Sequence, residues 1–503
     1  MKNCIPFFNE IYDEGEKIRM HYVPIYSQWK LLSVRQRQAI FKKSDQIFSG
    51  DYYVDPLPRI ITSSEFSFLK QGVEQRAKAI LAFLCDYYGM GSKWKKLISP
   101  LILKRIIARD QRRSVLGKLK PQSIAFPYGP DIIRDQTGKW RVVEDSTGML
   151  GGIGDLLASR TFLRTWLLGY KNILSASNDP LDFFKCLSAH YQSKAKKKGG
   201  IALLYLPPFR DESDHEDQRL FEIFKSLGIE CILSSDIQKR LLVEANGIYL
   251  RSLYKKIRVG YLILHSSPED MDAHRLSWFF KGRYLNASRE VKISLTQQGL
   301  EILGGDTLKS SLLKQQAWTN FSPGVEFVND KEFGTYVDSL IRFYLKEEPL
   351  LESIPSCLFV YRTSTGRWRL DTTLLNTVMR NKNKFVVKRV DEDGGQGVWV
   401  GQKRHWKQWA ILKDKIRKDP EKFIVQKFEH LSVLENRIVD LRIHTHVDYE
   451  KIITSNTPWG RANWIHGDGK VNLSSNGFTS PVITLKSEVT EEQTKKFTKL
   501  LRA

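Results

Sequence analysis

Residues 385–400 read FVVKRVDEDGGQGVWV, and this stretch carries the strongest indication of the fold. Its two ends are apolar and β-branched, which predicts two strands joined by a glycine-rich loop. Gly394, Gly395 and Gly397 allow backbone amides to approach a phosphate closely, because no side chain intervenes. A tight turn without a ligand has the same composition, so the loop alone is weak evidence for a phosphate-binding site.

Lys388 lies on the first of these strands and strengthens the phosphate interpretation. A lysine on an otherwise apolar strand needs an anionic partner if its ammonium points inward. A strand-end lysine that faces water explains the residue equally well when it is taken alone. The segment is strand–loop–strand and lacks GxxxxGK[ST], so it is not a P-loop.

Two carboxylates are predicted to lie on an upstream hairpin. Residues 130–134 and 140–144 have the pattern of strands, and QTG at 136–138 supplies the turn. Asp131 and Glu144 would then lie on the two arms, an arrangement that brings carboxylates to one side. Hard oxygen ligands on rigid strands suit Mg²⁺ carrying nucleotide phosphates. A pair of surface acids is the alternative, and it is favoured without other evidence.

A third group of polar residues lies towards the C-terminus. Arg442 follows Asp440 in an apolar stretch, and Arg461 and Asn472 come further along. The apolar flanks suggest that the guanidiniums point into a cleft. Arginine suits phosphate and developing acyl-phosphate charge because its donors form a fixed fork. Surface salt bridges are the alternative explanation.

The composition is that of a folded protein with two to four domains, at 503 residues with 41% hydrophobic and 11% aromatic residues. No segment approaches the eighteen or so uncharged apolar residues of a membrane span, and residues 1–16 carry acids where a signal peptide needs an apolar stretch. Five scattered cysteines without a CxxC pair argue against a disulfide framework or a thiolate zinc site. These features predict a cytoplasmic protein.

The formal net charge of +23 predicts attraction to anions such as nucleotide, RNA or an acidic lipid surface. Much of this charge lies in residues 93–120, where basic residues alternate with Leu and Ile at helical spacing. A solvated helix face with one apolar stripe explains this segment better than a dedicated RNA or membrane site.

Two helices are predicted from their caps. Thr62 and Glu65 form a capping box before a strongly periodic apolar face, and Gly89 ends that helix. Asn329 is predicted to cap a helix that continues through Tyr344.

The middle of the chain has a different pattern. The lysine-rich residues 193–200 predict a surface link. Strand, helix and strand alternate from residue 201 to residue 265, which predicts a small open parallel sheet. GxGxxG is absent there, so a dinucleotide-binding interpretation is weak.

Taken together, these segments resemble the ATP-grasp ligases, in the version whose halves are circularly permuted. FVVK, DEDGGQGV, FIVQKFEHLS, VDLR and VNLSSNG occupy the C-terminal part. GPDIIRDQTGKWRVVEDS, which is similar to the Asp plus Glu-x-Asn hairpin that follows them in ordinary ATP-grasp enzymes, comes first. The resemblance covers residues 10–160 and 320–485, and its motifs are specific.

The resemblance implies an α/β (α+β) fold, namely an ATP-grasp fold in permuted order with an inserted small Rossmann-like parallel-sheet domain. Residues 1–175 would hold the metal hairpin and a helical N-terminal region. Residues 176–310 would form the small domain, and residues 311–503 the nucleotide-binding half.

The resemblance also implies ATP and Mg²⁺ as cofactors and assigns residues to them by position. The glycine-rich loop would close over the phosphates, and the hinge would contact adenine chiefly through its backbone. The residues implied are Lys388, Gly394, Gly395, Gln396, Gly397, Gln426, Lys427 and Phe428 for ATP, Arg442, Arg461 and Asn472 for the triphosphate and acyl-phosphate, and Asp131, Glu144 and Ser146 for the metal.

Two positions depart from the family pattern. Ser146 replaces the asparagine of Glu-x-Asn, and a serine is a shorter and weaker metal ligand. The glycine pair expected after Asn472 is reduced to Gly477 followed by Phe478. Either change would fit an altered acceptor pocket, weaker metal binding or lost catalysis.

The function implied is an ATP-dependent ligase that forms an amide or peptide-like bond between a small-molecule or peptide carboxylate and an amine through an acyl-phosphate. Two alternatives stay open. One is a non-catalytic protein that binds nucleotide and holds RNA or an acidic partner, and the other is an ATP-dependent kinase.

Overall fold

The computed structural model describes residues 7–48, 53–109, 119–166, 176–206, 215–233, 240–252, 255–280, 307–392, 395 and 397–490, with scattered positions between 288 and 298. Its longer α-helices are Val23–Leu31, Val34–Phe48, Ser63–Tyr88, Pro100–Arg109, Asp155–Trp166, Pro180–Lys197, His215–Ser226, Pro268–Phe279, Thr372–Arg380 and Trp406–Lys418. Shorter α-helices are Leu308–Leu313, Lys331–Gly334 and Val337–Leu340. Within the described part of the chain, no helix is long and apolar enough to cross a membrane.

A seven-stranded sheet joins strands from both ends of the chain. It is antiparallel except at its first pair, and Val433–Leu434 pairs with the strand Arg437–Arg442 beside the main path. Its other strands, in spatial order, are Glu352–Ser353, Trp140–Glu144, Asp131–Arg134, Arg437–Arg442, Trp459–Trp464 and Phe478–Ser480. The predicted upstream hairpin is confirmed, and it lies directly beside the arginine-bearing strand.

The helix Ser63–Tyr88 covers one face of this sheet. It begins with the predicted capping box of Thr62 and Glu65 and ends at Gly89. Its apolar side forms one core with sheet residues such as Ile132 and Leu441. Because strand residues alternate between faces, the neighbours of these core residues point to the opposite side of the sheet.

A four-stranded antiparallel sheet forms a smaller layer with its own core. Val387 of this sheet packs with Leu375 and Trp409 of the helices Thr372–Arg380 and Trp406–Lys418. The strands, in order, are Ser356–Leu358, Phe423–Lys427, Phe385–Arg389 and Val398–Val400. The strand–loop–strand prediction for residues 385–400 is therefore confirmed.

The middle of the chain forms a mixed six-stranded sheet. Ile201–Leu206, Glu230–Leu233, Lys256–Leu264 and Trp318–Thr319 pair in parallel, which confirms the predicted parallel strands. The sheet continues with antiparallel strands that the sequence pattern did not predict, Gly247–Arg251 and Leu241–Glu244. Small sheets are formed by Ala125–Tyr128, Thr445–Asp448 and Ile452–Thr454, by Arg59–Ile61 and Val482–Thr484, and by Val360–Arg362 and Trp368–Leu370.

Two sequence predictions are wrong in detail. Residues 193–197 are not a surface link but the end of the helix Pro180–Lys197, where Lys194 is buried in an ion pair with Asp448. Asn329 does not cap a helix through Tyr344. Asp330 is the capping residue of the helix Lys331–Gly334, and the segment after it is broken into short helical turns. The domain boundaries at residues 175 and 310 stay predictions.

Candidate active site

A cavity of about 550 Å³ lies between the seven-stranded and four-stranded sheets. Sequence segments from three separate regions of the chain meet there. Eleven of the predicted site residues line it: Asp131, Glu144, Ser146, Lys388, Gly395, Gln426, Lys427, Phe428, Arg442, Arg461 and Asn472. Gly397 is not among the lining residues, and Gly394 and Gln396 lie outside the described residues.

Lys388 is a buried lysine that faces this cavity, with 5% of its surface exposed. Its Nζ donates a long hydrogen bond of 3.4 Å to the carbonyl of Val143. Burial lowers the pKa of Lys388, and the nearby ammonium of Lys331 lowers it further, whereas the carboxylate of Glu144 opposes both effects. An additional anion beside this ammonium would stabilise its charged form.

Several polar groups of the predicted hinge are used within the protein. Gln426 is buried, and its side-chain amide donates to the Val143 carbonyl at 3.1 Å and to Ser356 at 3.0 Å, which ties the two sheets together. The backbone amides of Lys427 and Phe428 donate to the carbonyls of other residues in this layer. These three amide groups of the predicted hinge are therefore already engaged in hydrogen bonds within the protein.

The described part of the glycine-rich loop lies against Asn472. A Cβ added at Gly395 would come within 2.9 Å of the Asn472 side-chain oxygen, and Gly395 has a φ of +73° that favours glycine. The carbonyl of Gly395 accepts from Lys470 at 3.2 Å. The loop thus reaches from the four-stranded sheet to the connection between the strands Trp459–Trp464 and Phe478–Ser480, which carries Asn472.

A β-bulge brings the two predicted metal carboxylates together. The register of the hairpin shifts between Asp131 and Ile132, so that Val143 is the extra residue and Glu144 lies opposite Asp131. Without this bulge, Glu144 would point to the same face as Val142, which packs in the core.

Both carboxylates already have cationic partners. Asp131 Oδ1 accepts from Arg442 Nη2 at 2.7 Å, and its Oδ2 is 2.8 Å from Arg461 Nη2. Burial alone would raise the pKa of Asp131, but the two guanidiniums hold it well below its usual range. Glu144 Oε1 is 3.2 Å from the Nζ of Lys331.

The two arginines belong to one chain of alternating charges. Arg461 donates from Nε and Nη2 to the two oxygens of Asp440, at 3.0 and 2.6 Å, and from Nη2 to Asp131. Arg442 donates from Nε and Nη2 to the other oxygen of Asp131. Burial opposes the charged form of Arg461, but Asp131 and Asp440 raise its pKa above the ordinary value. These are buried salt bridges, not the surface salt bridges of the alternative explanation, and they line the cavity.

Phe478 has a structural role. It is 3% exposed, and its ring packs edge-on against Tyr53 at 4.7 Å between centroids. The preceding Gly477 donates its amide to the carbonyl of Asn472 at 3.0 Å. The second glycine of the family pattern is thus replaced by a core residue, and the turn at Asn472 is kept.

Lys331 is a lining residue that the sequence analysis missed. It is 7% exposed, and besides Glu144 it contacts the carbonyl of Glu392 at the start of the glycine-rich loop. It lies in the charged run NDKEF, where no apolar pattern distinguishes a buried lysine from an exposed one.

The described part of the basic segment 93–120 supports the position of Lys331. Arg109 forms paired hydrogen bonds with Asp330, and both Arg105 and Arg109 contact Glu332. These arginines of the helix Pro100–Arg109 therefore hold the two residues that flank Lys331, rather than presenting their charge to solvent.

Several known proteins are similar to this chain. An uncharacterized protein of Synechocystis sp. is 26% identical over 443 residues, which are 86% of this chain and 81% of that protein. A provisionally named glutamate–cysteine ligase 2-3 of Frankia alni is 23% identical over 474 residues, which are 89% of this chain but 50% of that protein. The chain therefore spans about half the length of that relative.

A solved structure shares the fold. The apo form of a glutathione synthetase-like effector, GSS30, from Globodera pallida superimposes with a TM-score of 0.53 at 12% identity, covering 89% of this chain and 97% of that one. The sequence model of the circularly permuted ATP-grasp type 2 family matches residues 58–277 and 294–456, which is most of the chain. The mixed α/β fold and the permuted order of motifs agree with this match, and the chain belongs to the circularly permuted ATP-grasp type 2 family.

Proposed function

We propose that this chain is an ATP-dependent carboxylate–amine ligase that works through an acyl-phosphate. ATP-grasp proteins generally use ATP and Mg²⁺, and the names of relatives suggest a ligase. The observation that carries the proposal is the single cavity into which Lys388, Arg442, Arg461 and Asn472 project from separate segments, beside the hairpin of Asp131.

The nucleotide would lie along the four-stranded sheet. Val386 and Leu431 give the cavity an apolar wall near the hinge residue Phe428, which suits a purine base. Lys388 and Lys331 lie further along, where buried ammonium groups would bind phosphate oxygens. Gly395 would cover them through its backbone.

Asp131 and Glu144 are a suitable pair for Mg²⁺. They are hard oxygen donors that face each other on neighbouring strands, and the hydroxyl of Ser146 lines the same cavity. When bound, the metal would neutralise charge on the transferring phosphoryl group. Asp131 and Glu144 would then exchange part of their contact with Arg461 and Lys331 for the metal.

The reaction balances as two displacements. A carboxylate oxygen of the acid attacks the γ-phosphorus, the bond to the bridging oxygen breaks, and ADP leaves. The amine nitrogen attacks the acyl carbon, phosphate leaves with the carbon–oxygen bond electrons, and the nitrogen loses a proton. Arg442 and Arg461 would stabilise the charge that develops on the acyl-phosphate oxygens.

A second candidate is a protein that binds nucleotide without turnover. The ion pairs of Asp131 with two arginines favour it, because a metal must compete with them. Ser146 in place of asparagine points the same way. An RNA or other anionic partner has no support from the relatives.

The decisive experiment traces an ¹⁸O label from the carboxylic acid into the released phosphate. Purified protein is incubated with ATP, Mg²⁺, a panel of ¹⁸O-labelled carboxylic acids and a panel of amines, with glutamate and cysteine first because one relative is named for them. We expect ADP, an amide product by mass spectrometry, and one ¹⁸O from the carboxylate in the released phosphate. Formation of AMP, or release of unlabelled phosphate together with an amide product, would refute the acyl-phosphate mechanism.

Controls separate the two alternatives from the ligase. A phosphorylated product that persists when amine is present indicates a kinase. Tight binding of a non-hydrolysable ATP analogue by calorimetry, with no ADP from any acid and amine pair, indicates a binding protein.

A further inference from the structure

Asp440 is the member of the charge chain that has no assigned role. It lies on the strand Arg437–Arg442, directly opposite Arg461 in the neighbouring strand, and is 3% exposed. Its two oxygens accept from Nε and Nη2 of Arg461 in a paired, side-on contact. This geometry fixes the plane of the guanidinium as well as its position.

The contact leaves one edge of Arg461 for a ligand. Nε and Nη2 are committed to Asp440 and Asp131, and among the described residues no group accepts from Nη1. Arg461 lines the cavity, and its guanidinium lies 5.5 Å from the ring centroid of Trp459, which limits its movement.

Arg442 is held differently. Both of its ion-pair contacts go to one oxygen of Asp131, and its remaining contact is a 3.5 Å approach of Nη1 to the carbonyl of Gly151. A change at Asp131 therefore affects Arg442 strongly. Arg461 would keep Asp440 as a partner under the same change.

We propose that Asp440 is a positioning residue that keeps Arg461 aimed at the reacting phosphoryl group when Asp131 changes partners. The inference rests on the proposed ligase function. It gives the two arginines different roles. Arg461 is fixed by Asp440, whereas the position of Arg442 depends on Asp131.

The test compares Asp440→Asn with a matched control, Asp55→Asn. Asp55 is fully buried and does not line the cavity. Its partner is Arg437, whose Nε lies 2.6 Å away and which is on the same strand as Asp440. Both variants remove one buried carboxylate from one arginine. Both should therefore lower Tm, and only Asp440→Asn should alter catalysis.

In Asp440→Asn the side-chain amide cannot accept two hydrogen bonds side-on, so Arg461 should turn towards Asp131. We expect kcat to fall about 10- to 100-fold with KM for ATP within about threefold of wild type, because misplacing a transition-state contact costs turnover more than binding. Combining Asp440→Asn with Arg461→Ala should give little more loss than Arg461→Ala alone. Equal kcat losses in the Asp440 and Asp55 variants, or fully additive losses with Arg461→Ala, would overturn the inference.

Two further measurements keep the test decisive. If Asp440→Asn does not fold, Asp440→Glu retains the charge and displaces the carboxylate by one methylene, and full kcat in that variant would overturn the inference. If the wild-type chain proves inactive, the proposed ligase function fails. A crystal structure of Asp440→Asn then decides, since an unmoved Arg461 guanidinium refutes the positioning role and one turned towards Asp131 supports it.

Discussion

Replacing Lys388 by methionine should have opposite effects on ATP binding and on stability. Methionine keeps most of the volume of the side chain and removes only the ammonium of this residue, which is 5% exposed. The single hydrogen bond of its Nζ, at 3.4 Å to the Val143 carbonyl, is too long to compensate a buried charge well.

The expected loss of affinity for ATP follows from this burial. A phosphate contact made by a buried ammonium is worth about 2–4 kcal/mol, so we expect Lys388→Met to weaken a non-hydrolysable ATP analogue by about 30- to 900-fold. Isothermal titration calorimetry measures this directly. Lys407→Met is the matched control, because Lys407 is exposed on the helix Trp406–Lys418 of the same layer.

The expected change in the free energy of unfolding has the opposite sign: the substitution should stabilise the ligand-free protein. Burial lowers the pKa of Lys388 from its ordinary value of 10.5, so the folded state binds the proton less well than the unfolded state does. The resulting penalty is complete at pH values below the lowered pKa and disappears as the pH rises past the ordinary value. Lys388→Met should therefore stabilise the ligand-free protein at neutral pH by on the order of 1 kcal/mol, and less at alkaline pH.

The pair of results tests the reasoning at two points. An unchanged affinity in a folded Lys388→Met variant would remove Lys388 from the nucleotide site. A lower free energy of unfolding at neutral pH would show that the ammonium is well solvated or well paired, which would contradict its burial as the reason for seeking an anion.

Two further predictions concern the rest of the site, and a third concerns an ion pair outside it. If the protein is an active ligase, Ser146→Asn should preserve or raise turnover and lower the Mg²⁺ concentration for half-maximal rate, because an amide oxygen reaches a metal that serine reaches through water; abolished turnover would mean that Ser146 serves the substrate. Glu144→Gln should raise that Mg²⁺ concentration at least about tenfold, and an unchanged metal dependence would refute the metal assignment. Burial opposes protonation of His265, but the 2.7 Å hydrogen bond to Asp217 raises its pKa to about 9. His265→Gln should thus cost on the order of 3 kcal/mol below pH ~6.5 and progressively less up to pH ~9 in urea unfolding, whereas a pH-independent cost would contradict the ion pair.

Much of the local structure was predictable because the signals are local. The strand Phe385–Arg389 follows from its apolar, β-branched run, and the capping box at Thr62 needs only residues three positions apart. Asn329 and Asp330 show the limit of such signals. Both are good capping residues, and only tertiary contacts decide between them: Asn329 accepts the amide of Thr147, and Asp330 caps the helix.

The geometry of the site was less predictable, because it depends on pairings between distant residues. The bulge at Val143 decides which face Glu144 occupies, and a hairpin pattern of alternating residues does not reveal it. The contact of Arg442 with Asp131 joins residues 311 positions apart. Lys331 was missed for the same reason, since its neighbours Asp330 and Glu332 are held by Arg105 and Arg109 from another helix.

The permuted chain order has a physical consequence for how the site forms. Asp131 and Arg442 occupy paired positions on adjacent strands, Asp131–Arg134 and Arg437–Arg442, which come from opposite ends of the chain. The hairpin carboxylate can therefore be neutralised only after the C-terminal strands have docked, because until then it has no arginine beside it. Burying Asp131 without that arginine would cost several kcal/mol, so the charge chain makes correct docking of the two ends favourable and misdocking costly. The ion pairs with which a bound metal would compete are thus the same contacts that specify how the permuted halves come together.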